Sequence, residues 1–165
     1  KQGNPKQRQV YEVLTEFTIL KTLKAYHPIL VGTIPINIDI DSSDVDIICH
    51  AKDLVYFKKL IEKEFGHNKN FTLKEKPELE PIAIVATFCI GKFTIEIFGQ
   101  DTPTTKQNAY RHMVIEYNLL QKHGEAFREK IVELKRQGYK TEPAFGVALG
   151  LKGDPYEELL KYEID

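Results

Sequence analysis

Two carboxylates one residue apart, in Ser43-Asp44-Val45-Asp46-Ile47-Ile48, head an apolar run. Alternate side chains of a strand share a face, so Asp44 and Asp46 lie side by side while Val45 and Ile47 point the other way. Like charges at that spacing repel, and a bound cation is the simplest reason to keep them. Ten residues separate this pair from Gly32-Thr33, which closes the apolar triplet Ile29-Leu30-Val31. The backbone N–H groups and hydroxyl of a Gly-Thr pair suit phosphate oxygens. Two metal ions about 3.5–4 Å apart can clamp the attacking and leaving oxygens of an in-line phosphoryl displacement. A third carboxylate from a neighbouring strand normally completes such a site, and Glu96 in Phe93-Thr94-Ile95-Glu96-Ile97-Phe98 is the candidate. An acid inside an apolar strand is costly unless paired or liganded. The competing reading makes Glu96 a solvent-facing residue on a half-exposed strand, with Thr94 beside it.

The elements that position these groups follow from periodicity. Val10, Val13, Leu14, Phe17, Leu20 and Leu23 recur at helical spacing over residues 5–26. After Pro28 comes the short buried strand 29–31. Residues 34–43 are ambiguous: Ile34, Ile36, Ile38 and Ile40 alternate like a strand, whereas Pro35, Asp39, Asp41, Ser42 and Ser43 argue for a turn. Asp44–His50 reads as a strand. Leu54, Phe57, Leu60, Ile61 and Phe65 share one helical face, with Gly66 as the stop. Phe71–Leu73 reads as a short strand. Ile82–Ile90 and Lys92–Phe98 form a hairpin about Gly91. Beyond Gly99 four helices are predicted. The first begins at Pro103-Thr104, has Gln107 in the reciprocal position of a capping box, and carries Tyr110, Met113, Val114, Tyr117 and Leu120 on its apolar face. Phe127, Ile131 and Leu134 mark the second, up to Gly138; Thr141-Glu142-Pro143 opens the third, which ends near Gly150. Asp154-Pro155-Tyr156-Glu157 opens the fourth with a cap, a proline at the first position and an acid at the third. The expectation is an α/β (α+β-like) chain: a core over 1–100 with a mixed sheet flanked by helices, and a helical extension over 101–165 packed on it as one compact domain.

At 165 residues and net charge −1, with 42% hydrophobic and 28% charged residues, the chain has the composition of an ordinary globular protein. The balance disfavours long nucleic acid as a partner, which normally calls for a basic patch. A small nucleotide is compatible, since bound metal offsets its charge. No window approaches the roughly eighteen apolar residues of a membrane span, and the opening residues 1–5 carry no apolar signal region, so a cytoplasmic location is expected. Cys49 and Cys89 each lie in a strand-like run, which predicts two buried free thiols, and neither has a Cys or His partner at zinc spacing.

The motif set resembles the polymerase-β-like nucleotidyltransferase superfamily: Gly32-Thr33, ten residues, Asp44-Val45-Asp46 in an apolar strand, then Glu96 between apolar residues. The resemblance covers roughly residues 5–100. The words Gly32-Thr33-Ile34-Pro35, Gln107-Asn108-Ala109-Tyr110-Arg111-His112-Met113 and Gly153-Asp154-Pro155-Tyr156-Glu157 look like a small bacterial branch of it. Thr33 stands where Ser is more usual and keeps the hydroxyl, whereas Pro35 departs from the helix many members have there. The resemblance implies an enzyme that transfers an NMP from an NTP, ATP by default, to a hydroxyl acceptor on a small molecule or protein, releasing pyrophosphate. It further implies that Asp44 and Asp46 bind two Mg²⁺ ions, with Mn²⁺ as a substitute. Glu96 would complete the acceptor side and take the acceptor proton. Gly32 would admit the β- and γ-phosphates, and Thr33 would donate to one of them. Ser43 serves either that pocket or an ordinary turn. Arg111 either reaches a phosphate or pairs with Glu116 or another acid. His112 has no partner at metal spacing and is read as structural or solvent-facing ahead of a nucleotide contact. The Lys/Arg residues of 128–140 read as a solvated helix face. The alternative function is a non-catalytic nucleotide-binding or antitoxin-type module of the same fold, with a homodimer or a small helical protein as partner.

Overall fold

The computed structural model describes residues 3–163. The chain forms two compact units, Lys1–Val31 with Asp44–Gln107, and Gly32–Ser43 with Asn108–Asp165. The line between them falls at Gln107 rather than near residue 100, and the segment 32–43 belongs with the later helices.

The first unit opens with α1 (Pro5–Glu16), held at its start by a capping box in which Asn4 and Gln7 satisfy each other's backbone N–H. The single helix expected over 5–26 is broken. Thr18 takes a left-handed φ of 51°, and the chain restarts as α2 (Ile19–Thr22) and a 3-10 turn (Lys24–Tyr26). The break turns Phe17 out to solvent and sinks Ile19 and Leu23 completely. Burial of the branched residues, not helix continuity, sets the path.

A five-stranded mixed sheet follows, with β1 (Ile29–Val31), β2 (Val45–His50), β3 (Lys69–Lys76), β4 (Ala83–Ile90) and β5 (Phe93–Gln100) in the spatial order β1-β2-β5-β4-β3. Only β2 and β5 run parallel. The expected strand at 71–73 is the middle of the eight-residue edge strand β3. Ile84, Ala86, Phe88 and Ile90 on β4, and Phe93, Ile95 and Ile97 on β5, are buried, while the alternate residues, Ala83 excepted, are half-exposed. Against the buried face lies α3 (Leu54–Phe65), capped by Asp53, with Phe57, Ile61 and Phe65 turned inward. Phe65 stacks on Phe88 at 5.1 Å, and Gly99 leaves room for the Phe57 ring. The opposite face is where Glu96 points, since Ile95 and Ile97 occupy the covered side.

In the second unit are α4 (Asn108–His123), α5 (Glu125–Arg136), α6 (Thr141–Leu149) and α7 (Pro155–Leu160). Ile115, Leu119, Leu120, Ile131, Ala144, Phe145 and Leu159 build its core, and Ile36 and Ile38 from the turn segment join them. The apolar face expected on α4 is rotated: Val114 and Tyr117 are exposed, while Ile115, Leu119, His112 and Glu116 face inward. The capping box expected at Thr104 and Gln107 does not form either. Thr104–Lys106 is a 3-10 turn and Gln107 is extended, its amide donating to the carbonyls of Cys49 and Thr102 at 2.9 Å each. The side-chain amide goes to these carbonyls instead of turning back to cap a helix. Asp154 caps α7 as the sequence predicts, accepting from Tyr156 N. Among the described residues no helix is long and apolar enough to cross a membrane.

Candidate active site

Asp46 sits one residue into β2, paired in register with Val31 of β1 on one side and with Glu96 of β5 on the other. Register partners share a face, so the two carboxylates project from adjacent parallel strands, about 4.8 Å apart at the backbone. The same row continues through Thr87 to Thr72, whose hydroxyls lie 2.6 Å apart. Asp44 precedes the strand by one residue and is exposed, while Asp46 and Glu96 are half-buried. Although Asp44 is exposed overall, partial desolvation of its carboxyl raises it above its ordinary value. Burial also raises Glu96, the negative charge of Asp44 pushes it further, and Lys76 opposes both. Asp44 and Glu96 are therefore close enough to feel each other's charge. Lys76, at the end of β3 and beyond the strand that the sequence predicts at 71–73, is the nearby cation that sequence patterning does not single out.

An all-oxygen donor set suits a hard cation such as Mg²⁺. Among the described residues no three His, Cys, Asp or Glu side chains gather into a group that could hold a metal ion by themselves. That is compatible with Mg²⁺, which takes one or two carboxylates and fills its octahedron with water and substrate phosphates instead of a protein cage. In the same unit Cys49 and Cys89 are free; burial pushes the Cys49 thiol up to about 12, whereas Cys89 is only half-buried, on the open face of β4.

The remaining candidates lie in the second unit. Gly32 has φ +80°, a conformation that favours glycine. Thr33 and Ser43, ten residues apart, come together: the Thr33 hydroxyl donates to Ser43 Oγ at 3.4 Å. Ser43 Oγ also accepts from Ile40 N at 2.9 Å and Ser43 N donates to Ile40 O, so this serine closes a turn. Residues 33–37 are turns rather than strand, with Asn37 at φ +59°. Arg111 is not paired with Glu116. Its guanidinium forks onto Glu163, at 2.6 Å for the shortest contact, and reaches Asn108. His112 is buried and structural, its Nε2 donating to Tyr156 O at 2.8 Å and its Nδ1 3.7 Å from Glu142. Two residues of the stretch 128–140, read as a solvated face, are instead tied to the backbone of the turn segment. Lys135 is only 6% exposed, and Arg128 donates to backbone carbonyls. Charge counting along α5 places both outside, because a cation is normally buried only where carbonyls accept it.

The fold is that of nucleotidyltransferases. The structure is similar to GLD-2 in the GLD-2/RNP-8 complex, with a TM-score of 0.57 at 14% identity, over 89% of this chain and 58% of that one. It is also similar to the Cid1 poly(U) polymerase bound to MgATP, with a TM-score of 0.63 at 12% identity, over 89% of this chain and 50% of that one. Cid1 in complex with the UTP analog UMPNPP gives 0.59 at 13% identity, over 89% and 48%. The chain thus spans about half the length of these structures. No curated protein sequence matches it. The chain belongs to the family described as a domain of unknown function, DUF4269, whose model matches residues 12–162.

Proposed function

We propose that this protein is a Mg²⁺-dependent nucleotidyltransferase that moves an NMP from an NTP to a hydroxyl acceptor on a small molecule or protein. The observation that carries the reading is the pairing of Asp46 with Glu96 on one face of the parallel β2–β5 pair, with Asp44 in charge range of Glu96. Asp44 and Asp46 would hold two Mg²⁺ ions, or Mn²⁺, and Glu96 would complete the acceptor side. Bound there, the ions would neutralise the triphosphate and the charge developing on the α-phosphate. Glu96, whose carboxyl burial and the Asp44 charge raise above its ordinary value, is in this reading the group that takes the acceptor proton. The acceptor oxygen then forms its bond to the α-phosphorus, the α–β bridging P–O bond breaks, and pyrophosphate leaves. Gly32 and Thr33 directly follow β1, and Ser43 directly precedes Asp44. In this reading they contribute the backbone and hydroxyl contacts to the phosphates. Arg111 contributes a phosphate contact by exchanging Glu163 for it.

The donor is one of the four NTPs, with ATP as default. Cid1 appears with MgATP and with a UTP analog, and it is a poly(U) polymerase. Net charge −1 favours a small or protein acceptor here over a long nucleic acid. Two free cysteines fit a cytoplasmic location. The second reading is a nucleotide-binding or antitoxin-type module without transfer, acting as a homodimer or with a small helical protein. It is favoured by the lack of a preformed three-ligand group among the described residues. The test is label transfer from α-labelled NTPs to the small-molecule and protein fractions of a cell extract. Transfer lost in Asp46→Asn is the expected result; Mg²⁺-dependent NTP binding with no transfer selects the second reading.

A further inference from the structure

The segment 32–43 is continuous in sequence with β1 and β2, yet it is built into the helical unit. Ile36 and Ile38 are buried in that unit's core. The carbonyls of three successive residues, Ile36, Asn37 and Ile38, are taken by cations of α5. Arg128 Nη1 donates to Ile36 O and, at 3.1 Å, to Asn37 O. Lys135 Nζ donates to Ile38 O at 2.8 Å. The two cations are seven residues apart, two helical turns, so they share one face of α5. Lys135 is nearly sealed from water, and Glu116 of α4 lies within range of its charge. A lysine is seldom buried unless its donors are satisfied. Thr33 and Ser43 are tied to the same segment by the Thr33–Ser43 hydroxyl contact and the bond from Ile38 N to Thr33 O at 3.1 Å.

We infer that Arg128 and Lys135 are positioning residues: two cations of α5 hold the turn segment 33–43 in the one conformation that presents the Thr33 and Ser43 hydroxyls to the NTP phosphates. This rests on the nucleotidyltransferase reading. A merely structural staple predicts a loss of stability alone. A positioning role predicts an effect graded by phosphate number, because the β- and γ-phosphates are what the segment contacts.

The experiment uses the full chain, with Lys135→Met and the milder Arg128→Gln, which removes a half-exposed cation and leaves the core intact. Amide hydrogen exchange is read across 33–43. Dissociation constants are measured with Mg²⁺ for whichever of ATP, CTP, GTP and UTP binds tightest, and for its own NMP. Loss of a charged hydrogen bond gives an expected rise of about tenfold in both the exchange rate of the segment and the NTP dissociation constant, with NMP affinity unchanged. Arg128→Lys, which keeps a cation, is expected to recover most of the affinity. Unchanged exchange, or NTP and NMP weakened equally, overturns the inference. A wild-type chain that binds none of the four NTPs removes the proposed function itself, a result that needs no variant.

Discussion

A carboxyl group sealed inside a helical core is most stable there as the neutral acid. Glu116 is 2% exposed and its Oε1 has no hydrogen-bond partner. Burial drives its proton affinity well above the ordinary value, Glu142 drives it further, and Lys135 pulls it back. The folded state therefore holds a proton that the unfolded chain releases near pH 4.5. Stability is fully present below that pH and declines as pH rises toward the raised folded value, by up to about 1.4 kcal/mol per pH unit. Glu116→Gln, which keeps the shape and cannot ionise, is expected to flatten that slope in urea melts at pH 5–8; an unchanged slope would mean Glu116 is not the source. At Glu96 the expectation is kinetic. Glu96→Gln should lower label transfer about 10²–10⁴-fold, the usual contribution of a general base, and leave NTP affinity nearly unchanged. Both acids lie among apolar neighbours in the sequence, but only Glu96 was legible. Strand alternation isolates one acid on the open face, whereas a helix with tyrosines and a methionine on one stripe gives several equally apolar faces, and Glu116 lay on the one that packing chose.

At the scale of elements, the packing of α3 on the sheet depends on one missing side chain. A Cβ on Gly99 would run into the buried Phe57 ring, with the ring's Cζ 2.6 Å away. Gly99→Ala is expected to cost about 1–3 kcal/mol in chemical denaturation, as overpacking does, and Phe57→Leu in the same chain should restore part of it. Independent, additive losses would contradict this contact. The strands that carry the acids were readable because 45–50 is a short, mostly buried apolar run and 93–98 alternates as a sheet with one covered face requires. Three features were not. The break at Thr18 leaves the apolar spacing almost undisturbed. Gln107 fits a capping box locally, and only carbonyls brought near by the fold, one of them 58 positions away at Cys49, draw it elsewhere. Residues 32–43 alternate because Ile36 and Ile38 must reach a core made of helices far later in the chain, a periodicity that mimics a strand.

For the whole molecule, the division into units is discontinuous in sequence, and that is why periodicity placed its boundary near residue 100. The near-neutral charge leads to a further expectation. Binding to long RNA or DNA should be weak, with a plot of log affinity against log salt shallower than about −3, since few phosphates are neutralised. A steep slope with tight binding would instead put a polynucleotide in the acceptor site. The central claim is that Asp44, Asp46 and Glu96 make a metal-dependent nucleotide site. Its most direct test is thermal unfolding of the full chain with ATP, CTP, GTP and UTP, each with and without Mg²⁺, compared with the Asp44→Asn, Asp46→Asn double variant. An NTP at about one hundred times its dissociation constant adds roughly 2.7 kcal/mol. The account predicts a Mg²⁺-dependent rise in melting temperature for at least one NTP, absent in the double variant. No rise with any NTP, or a rise that survives loss of both aspartates, would contradict it.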